Sequence, residues 1–413
     1  MKKLLVAVLV LSPVALFGQD VGGAGDKAEQ IQLNTITTAV PFLIITPDSR
    51  AGAMGDAGAA LSPDVNSFHW NTAKLAFTEQ DAELGISYSP WLRQLVDDIH
   101  LSYLSGYTKV GRNHVFGGSL RYFSLGNITF TDQIGSTIRE FNPNEFEVLG
   151  GYAFRMSDRS AIGVNGKFIF SNLTGGVNVG NVGTKPGIAG AVDLSYNFTN
   201  PDIRLGSKDA TWSFSTTISN IGNKIAYTVD ADRDFLPTNL RIGNALKVDF
   251  DKYNSLTWSF DVNKLLVPTQ PVRDADGVII SGKDPNVGVT LGMIQSFYDA
   301  PGDVDFDAAG NPSVEKNSRF FEEMNEINFG TGIEYWYSNI LAVRTGFFHE
   351  ATSKGNRKYL TFGAGIYYSI FGIDVSYLAS VTQNNPLANT VRFSLSFKFG
   401  KDAVKDGGES SLD

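Results

Sequence analysis

Cysteine is absent from all 413 residues, so no disulfide framework holds the fold and stability has to come from a large core or a closed sheet. No stretch reaches the about 18 consecutive apolar residues of a membrane-spanning helix, which excludes a helical membrane protein. Positive charge is in short supply: 34 Lys and Arg stand against 43 Asp and Glu, a net charge of −9. That balance excludes nucleic acid as a partner, because binding phosphate needs a basic surface. Histidine occurs only at His69, His100, His114 and His349, with no pair at ligand spacing, so no metal centre is expected. There is no Gly-x-Ser-x-Gly elbow and no persuasive serine, histidine and carboxylate set, so no catalytic residue is expected. The glycines from Gly52 to Gly58 do not have dinucleotide-fingerprint spacing, and no cofactor is expected. The run Asp303-Val304-Asp305-Phe306-Asp307 begins like a calcium loop. Ala308 and Val314 then stand where glycine and glutamate are needed, which leaves a solvated acidic loop as the better reading.

What is present points to the cell envelope. Met1, Lys2 and Lys3 precede an apolar run from Leu4 to Phe17 and then Gly18, the order of a secretory signal peptide cut near Gly18. Glycine at 43 residues and aromatics at 12% are high for a soluble domain and usual for an outer-membrane barrel.

From about Glu83 onward the chain alternates with period two, as a strand does when its two faces meet different environments. Val391, Phe393, Leu395, Phe397 and Phe399 fall on one face, while Arg392, Ser394, Ser396, Lys398 and Gly400 fall on the other. The pattern predicts strands over 83–89, 99–108, 114–125, 146–155, 160–172, 188–198 and 211–221. It continues over 239–250, 256–264, 327–338, 340–349, 359–369, 373–379 and 391–399. Most have the roughly 9–11 residues of a tilted transmembrane strand. Short connections at 109–113, 156–159, 251–255, 339 and 370–372 alternate with longer ones at 126–145, 173–187, 222–238, 265–326 and 380–390. Thr199 to Ala210 is an intermediate connection on the short side. Short turns on one rim and long loops on the other are the signature of a bacterial outer-membrane barrel. The fold class is therefore all-β: a transmembrane antiparallel barrel of about fourteen strands with long extracellular loops.

Residues 1–18 are thus the signal peptide, 19–80 a periplasmic lead and small N-terminal helical plug, 81–400 the barrel and 401–413 a disordered periplasmic tail. Asp48 or Ser49 is placed to cap a short helix, and a second helix is expected after Ser62-Pro63-Asp64. The plug is expected to fold into the barrel mouth from the periplasmic side, the alternative being an ordinary periplasmic extension, with both chain ends in the periplasm. Strand-interior glycines such as Gly117, Gly118, Gly163, Gly363 and Gly365 permit sheet bends or close approach of something in the lumen.

Asp48-Ser49-Arg50 with Met54-Gly55-Asp56-Ala57-Gly58, then Asn71-Thr72-Ala73-Lys74-Leu75-Ala76, resemble the plug motif of the FadL-like outer-membrane proteins. The usual last element there is Asn-Pro-Ala-Gly-Leu-Ala, from which Thr72 and Lys74 depart. Further motifs lie at Gly292 to Phe297, Asp299 to Gly302, Glu334 to Tyr337, Lys354 to Tyr359 and Asn385 to Phe393. Together they resemble the PorV (LptO) family of the type IX secretion system of the Bacteroidetes, from about Asn34 to Phe399. The resemblance implies a non-catalytic barrel that binds the C-terminal signal domains of secreted cargo. It further implies association with the SprA/Sov translocon barrel and hand-over to the PorU sortase complex, which attaches cargo to the surface. Its surroundings would be the lipid bilayer and lipopolysaccharide, whose deacylation has also been attached to the family. The resemblance marks Asp48, Arg50, Asp56 and Asn71 as plug-motif residues.

With no catalytic set, the functional surface has to be a binding surface. The connection from Leu265 to Glu326 is the candidate, since long structureless loops usually do something. It carries Met293, Ile294, Phe297, Tyr298, Phe320 and Phe321, apolar side chains that are costly to leave in water. They form either a lid over the barrel or a partner-binding surface. The alternative function is a FadL-type transporter of hydrophobic small molecules, which needs a luminal pocket of ~300 Å³ or more and an exit.

Overall fold

The computed structural model describes residues 33–400 apart from 93–95, 97, 132–133, 135, 177–182, 229–232, 307–311 and 382–388. The expected signal peptide, residues 19–32 of the lead and the tail 401–413 lie outside the described residues.

Fourteen antiparallel strands close into one barrel. They are β1 Ala82–Pro90, β2 Ile99–Val110, β3 His114–Leu125, β4 Asn144–Arg155 and β5 Ser160–Asn172. The next are β6 Gly187–Leu205, β7 Lys208–Gly222, β8 Asn239–Asp249, β9 Asn254–Leu265 and β10 Ile327–Tyr337. The last are β11 Leu341–His349, β12 Lys358–Tyr368, β13 Phe371–Ser380 and β14 Thr390–Phe399. Each strand pairs with its sequence neighbour, and β1 closes on β14 from Ala82↔Phe399 to Tyr88↔Phe393. Closure leaves no sheet edge, which is what a β-protein needs in lipid, where nothing else can satisfy backbone amides.

The alternation turns apolar residues outward, the reverse of a soluble protein. On β1, Leu84, Ile86 and Tyr88 are exposed while Glu83, Ser87 and Ser89 are buried. On β14, Phe393 and Leu395 are exposed while Arg392 and Ser394 are buried. An apolar exterior suits hydrocarbon, and the polar interior has to find its partners inside the lumen.

Those partners come from the segment before β1. It carries the short helices α1 Ser49–Gly52 and α2 Ser67–Trp70, with 3₁₀ turns at Pro41–Ile44 and Thr72–Phe77. Phe42, Met54, Phe68, Trp70 and Leu75 are fully buried within it. Lumen-facing glycines let the plug backbone lie directly on the wall: a Cβ at Gly332 would come 2.6 Å from the Cα of Met54, and one at Gly163 2.6 Å from the backbone N of Ala73. At Gly118 and Gly365 the nearest atoms belong instead to neighbouring strands, Leu149 and Asp374.

Three expectations are corrected. Thr199 to Ala210 is no intermediate connection: β6 and β7, 19 and 15 residues long, extend through it into one hairpin. Pro201 reads as a breaker in the sequence, yet it sits where the register shifts between Asn200 and Ile203, so its missing N–H costs no regular ladder bond. The connection from Leu265 to Glu326 is structured, with helices α3 Val289–Gln295 and α4 Ser318–Asn325. It also holds two small hairpins, Val272–Arg273 with Ile279–Ser281 and Val304–Phe306 with Pro312–Val314.

The third correction concerns the lead. Asn34 was expected on the short-turn side, but its N–H donates to the carbonyl of Ser353 at 3.0 Å. Its side-chain amide donates to Gln270 O at 3.2 Å and Glu322 Oε1 at 2.9 Å. Ala39 N–H donates to Phe235 O at 2.9 Å. Phe235, Gln270 and Glu322 lie on long connections, and Ser353 lies on 350–357, which follows an odd-numbered strand as those connections do, so the described chain begins at the long-loop rim. It then runs through the lumen to β1 at the opposite rim, where Lys109 Nζ donates to Thr78 O at 2.8 Å. The plug therefore does not fold in from the short-turn side.

Candidate functional site

The plug-motif residues do not meet in one site: Asp48 ties the plug together internally, while Arg50, Asp56 and Asn71 fasten it at separate points on the wall. Asp48 is the N-cap of α1, accepting the N–H of Ala51 at 2.8 Å and the indole N–H of Trp70 at 2.7 Å. Arg50 donates through Nε and Nη2 to the two oxygens of Glu334 on β10, both at 2.9 Å, and through Nη1 to Asp64 at 3.0 Å. Asp56 accepts the Tyr359 hydroxyl of β12 at 2.5 Å. Asn71 donates to the carbonyls of Tyr196 on β6 at 2.9 Å and Thr216 on β7 at 3.2 Å.

Sequence reading missed the wall side of this network. Glu334 also accepts Arg344 Nε at 2.6 Å, and Arg344 Nη1 reaches Asp374 Oδ1 at 2.5 Å. Arg121 on β3 donates to Leu43 O at 2.6 Å and is hydrogen-bonded to His69. The available signal was a charge in the inward phase of an alternating strand, as at Glu334, Arg344 and Asp374. Lys74, a departure from the usual motif, donates to Gly58 O at 2.7 Å and ties two plug turns together. Among the described residues no three His, Asp or Glu come together as a metal site.

At the long-loop rim α4 divides its faces. Helical spacing puts Glu322, Glu323 and Glu326 on one side and Phe320, Phe321 and Met324 on the other. The carboxylates gather distant loops. Glu326 accepts Lys264 at 2.6 Å, Lys354 at 3.1 Å and the Thr269 hydroxyl at 2.5 Å. Glu322 accepts Lys354 at 2.8 Å and the N–H of Gly302 at 2.7 Å, and Glu323 accepts the N–H of Ala300 at 2.9 Å. Asp299 is buried beside them and accepts the N–H of Thr269 at 3.1 Å. Burial, aided by the charges of Glu326 and Glu323 and opposed by that N–H, pushes its carboxyl up to about 7.

The opposite face has no such cover. Phe320 and Phe321 are 61% and 62% exposed. Ile294, Phe297 and Tyr298 are also exposed, and Met293 is half-buried. Leu291 and Met324, absent from the sequence-derived set, are exposed as well. Lys264 Nζ sits 5.7 Å from the ring centre of Phe297 while bonding Glu326, which links the α3 side of the cap to α4. The cap is thus fixed by its polar side and presents apolar side chains to the exterior.

The family model of the type IX secretion system protein PorV matches residues 27–272, more than half of the chain. The chain belongs to the PorV family. It is accordingly an outer-membrane component of the type IX secretion system. No curated protein matches it. Among solved structures, this PorV-family chain is similar to the toluene transporter TodX of Pseudomonas putida at 11% identity and a TM-score of 0.46, covering 89% of this chain and 99% of that one. The toluene transporter TbuX of Ralstonia pickettii follows at 10% identity and a TM-score of 0.44, covering 86% and 98%. A FadL homologue of Pseudomonas aeruginosa has 12% identity and a TM-score of 0.42, covering 89% and 99%.

Proposed function

We propose that this PorV-family barrel binds the C-terminal signal domains of secreted cargo at the SprA/Sov translocon and passes them to the PorU attachment complex, without catalysing a reaction. The observation that carries the reading is the cap: an apolar face held in place by ion pairs on its other side. Exposed aromatic and aliphatic side chains on an ordered scaffold bind with little ordering cost and supply the buried anchors typical of protein interfaces. The long-loop rim faces the cell exterior and the short turns face the periplasm, which puts the cap where cargo emerges. Residue 400 then lies on the periplasmic side and residue 33 on the outer side.

Conduction of hydrophobic small molecules, the alternative, needs a luminal pocket and an exit, and a route along the barrel axis would have to displace the plug from the wall. That breaks the Arg50 to Glu334 pair and the bonds at Asp56 and Asn71 at once. The plug therefore favours a carrier of protein partners over a conduit.

The test is a pull-down in mild detergent of the tagged protein and of a Phe320→Ser/Phe321→Ser variant. The wild type is expected to retain the translocon barrel and signal-bearing cargo, the variant to lose them, and a deletion strain to fail in surface attachment. Recovery of the lone barrel, with normal attachment in the deletion strain, overturns the proposal.

A further inference from the structure

Arg392 lies in one of the sequence motifs that neither the plug network nor the cap uses. It is 1% exposed and points inward from β14. The structure offers no hydrogen-bond partner for its Nε or Nη1, and it forms no ion pair with any described residue. The other inward arginines are anchored: Arg121 on Leu43 O, Arg241 on Asn263 and Arg344 on Glu334 and Asp374.

Two hydroxyls flank Arg392 on the same inner face. Ser376 of β13 is its direct register partner. Ser89 of β1 follows Tyr88, which pairs with Phe393, so the antiparallel register sets Ser89 against Arg392 from the other side. Both serines are buried, at 1% and 0% exposure, and both hydroxyls lack a partner. The plug closes the space from within: a Cβ at Gly52 would come 2.8 Å from Nη1. Three adjacent strands thus carry a cation and two hydroxyl donors side by side on the inner face, with Gly52 of α1 packed on the guanidinium.

We propose that Arg392, Ser376 and Ser89 form a buried receptor for a single small inorganic anion of halide size. Donors of this kind, all with free hydrogens, match an acceptor-only guest. A negative charge also neutralises the guanidinium, which a water molecule does not. A plug carboxylate, Asp56, is engaged by Tyr359 through Oδ2, and its Oδ1 has no partner. Water joining that oxygen to Arg392 is the rival arrangement.

Crystals of the full mature chain in detergent, grown with sodium bromide, separate the two by anomalous diffraction. The expected result is a bromide peak within hydrogen-bond distance of Arg392 Nε or Nη1 and of a serine Oγ, lost in Arg392→Met. Water density alone at this point, or a bromide peak that persists in Arg392→Met, overturns the proposal. Should Arg392→Met not fold, Ser89→Ala/Ser376→Ala takes its place, with lower bromide occupancy expected and unchanged occupancy counting against the site.

Discussion

Arg50 of the plug and Glu334 of β10, separated by 284 residues in sequence, meet as a bidentate pair inside the barrel. Glu334 is shared with Arg344, and Arg50 reaches on to Asp64 and to the hydroxyl and carbonyl of Ser62. The planar guanidinium fits two carboxylate oxygens at once, which fixes the orientation of α1 against the wall.

Removing one member of such a pair leaves a buried charge without its partner. Arg50→Ala is therefore expected to lower stability by about 3–5 kcal/mol, well beyond the loss of a surface ion pair. Denaturant unfolding in detergent measures it, with Glu334→Gln and the double variant completing a cycle. A loss below about 1 kcal/mol for Arg50→Ala would show that the plug is held by its other contacts and not by this pair.

Much of the wall was legible because lipid outside and polar lumen inside impose period two on every strand. Glu334 and Arg392 fall in the inward phase without any knowledge of partners. Asp48 was legible as a cap because its acceptor role is local, three residues from Ala51. The route of the lead was not: the partners of Asn34 lie 236 and 288 residues away in sequence, and no local pattern encodes such contacts. The hairpin through Pro201 was hidden for a different reason, because a proline at a register shift looks the same in sequence as a proline in a loop. Short helices such as α3 were missed because seven residues give too few turns for a helical period to emerge.

The position of the lead yields a topological prediction. Leu33 is 72% exposed at the long-loop rim, and the chain contains no cysteine. Leu33→Cys is expected to react with a membrane-impermeant maleimide on intact cells, whereas Ser207→Cys in the β6–β7 turn is expected to react only after the outer membrane is permeabilised. Labelling of Ser207→Cys but not Leu33→Cys on intact cells would reverse the orientation proposed above.

Asp299 is expected to make the cap pH-dependent. Its carboxyl titrates near 7 in the folded cap and near 3.8 when exposed, so between those values the folded form binds the proton more tightly. Cap stability is therefore greatest below about pH 4 from this group and is lost as pH rises through about 7, the sign opposite to that of an ion-paired carboxylate. Hydrogen exchange of the α4 amides, corrected for the intrinsic pH dependence, is expected to rise across this window. Asp299→Asn, which is neutral throughout, should flatten the rise. An equal rise in that variant would assign the effect to other groups.

Phe320 and Phe321 offer a separation between folding and binding. Both project from α4 away from the carboxylates that anchor it, so Phe320→Ser/Phe321→Ser is expected to change stability by no more than about 0.5 kcal/mol per site. If the face receives a partner, the same variant removes two aromatic anchors, and a loss of about 2 kcal/mol or more corresponds to roughly 30-fold weaker binding. Glu326→Gln works the other way. It weakens the hold on Lys264, Lys354 and Thr269 while leaving the apolar face chemically intact. That variant should loosen the cap in hydrogen exchange and weaken binding only through the added cost of ordering α4. Equal binding by wild type and Phe320→Ser/Phe321→Ser, measured against purified signal-domain cargo and translocon, would leave the cap as a lid alone.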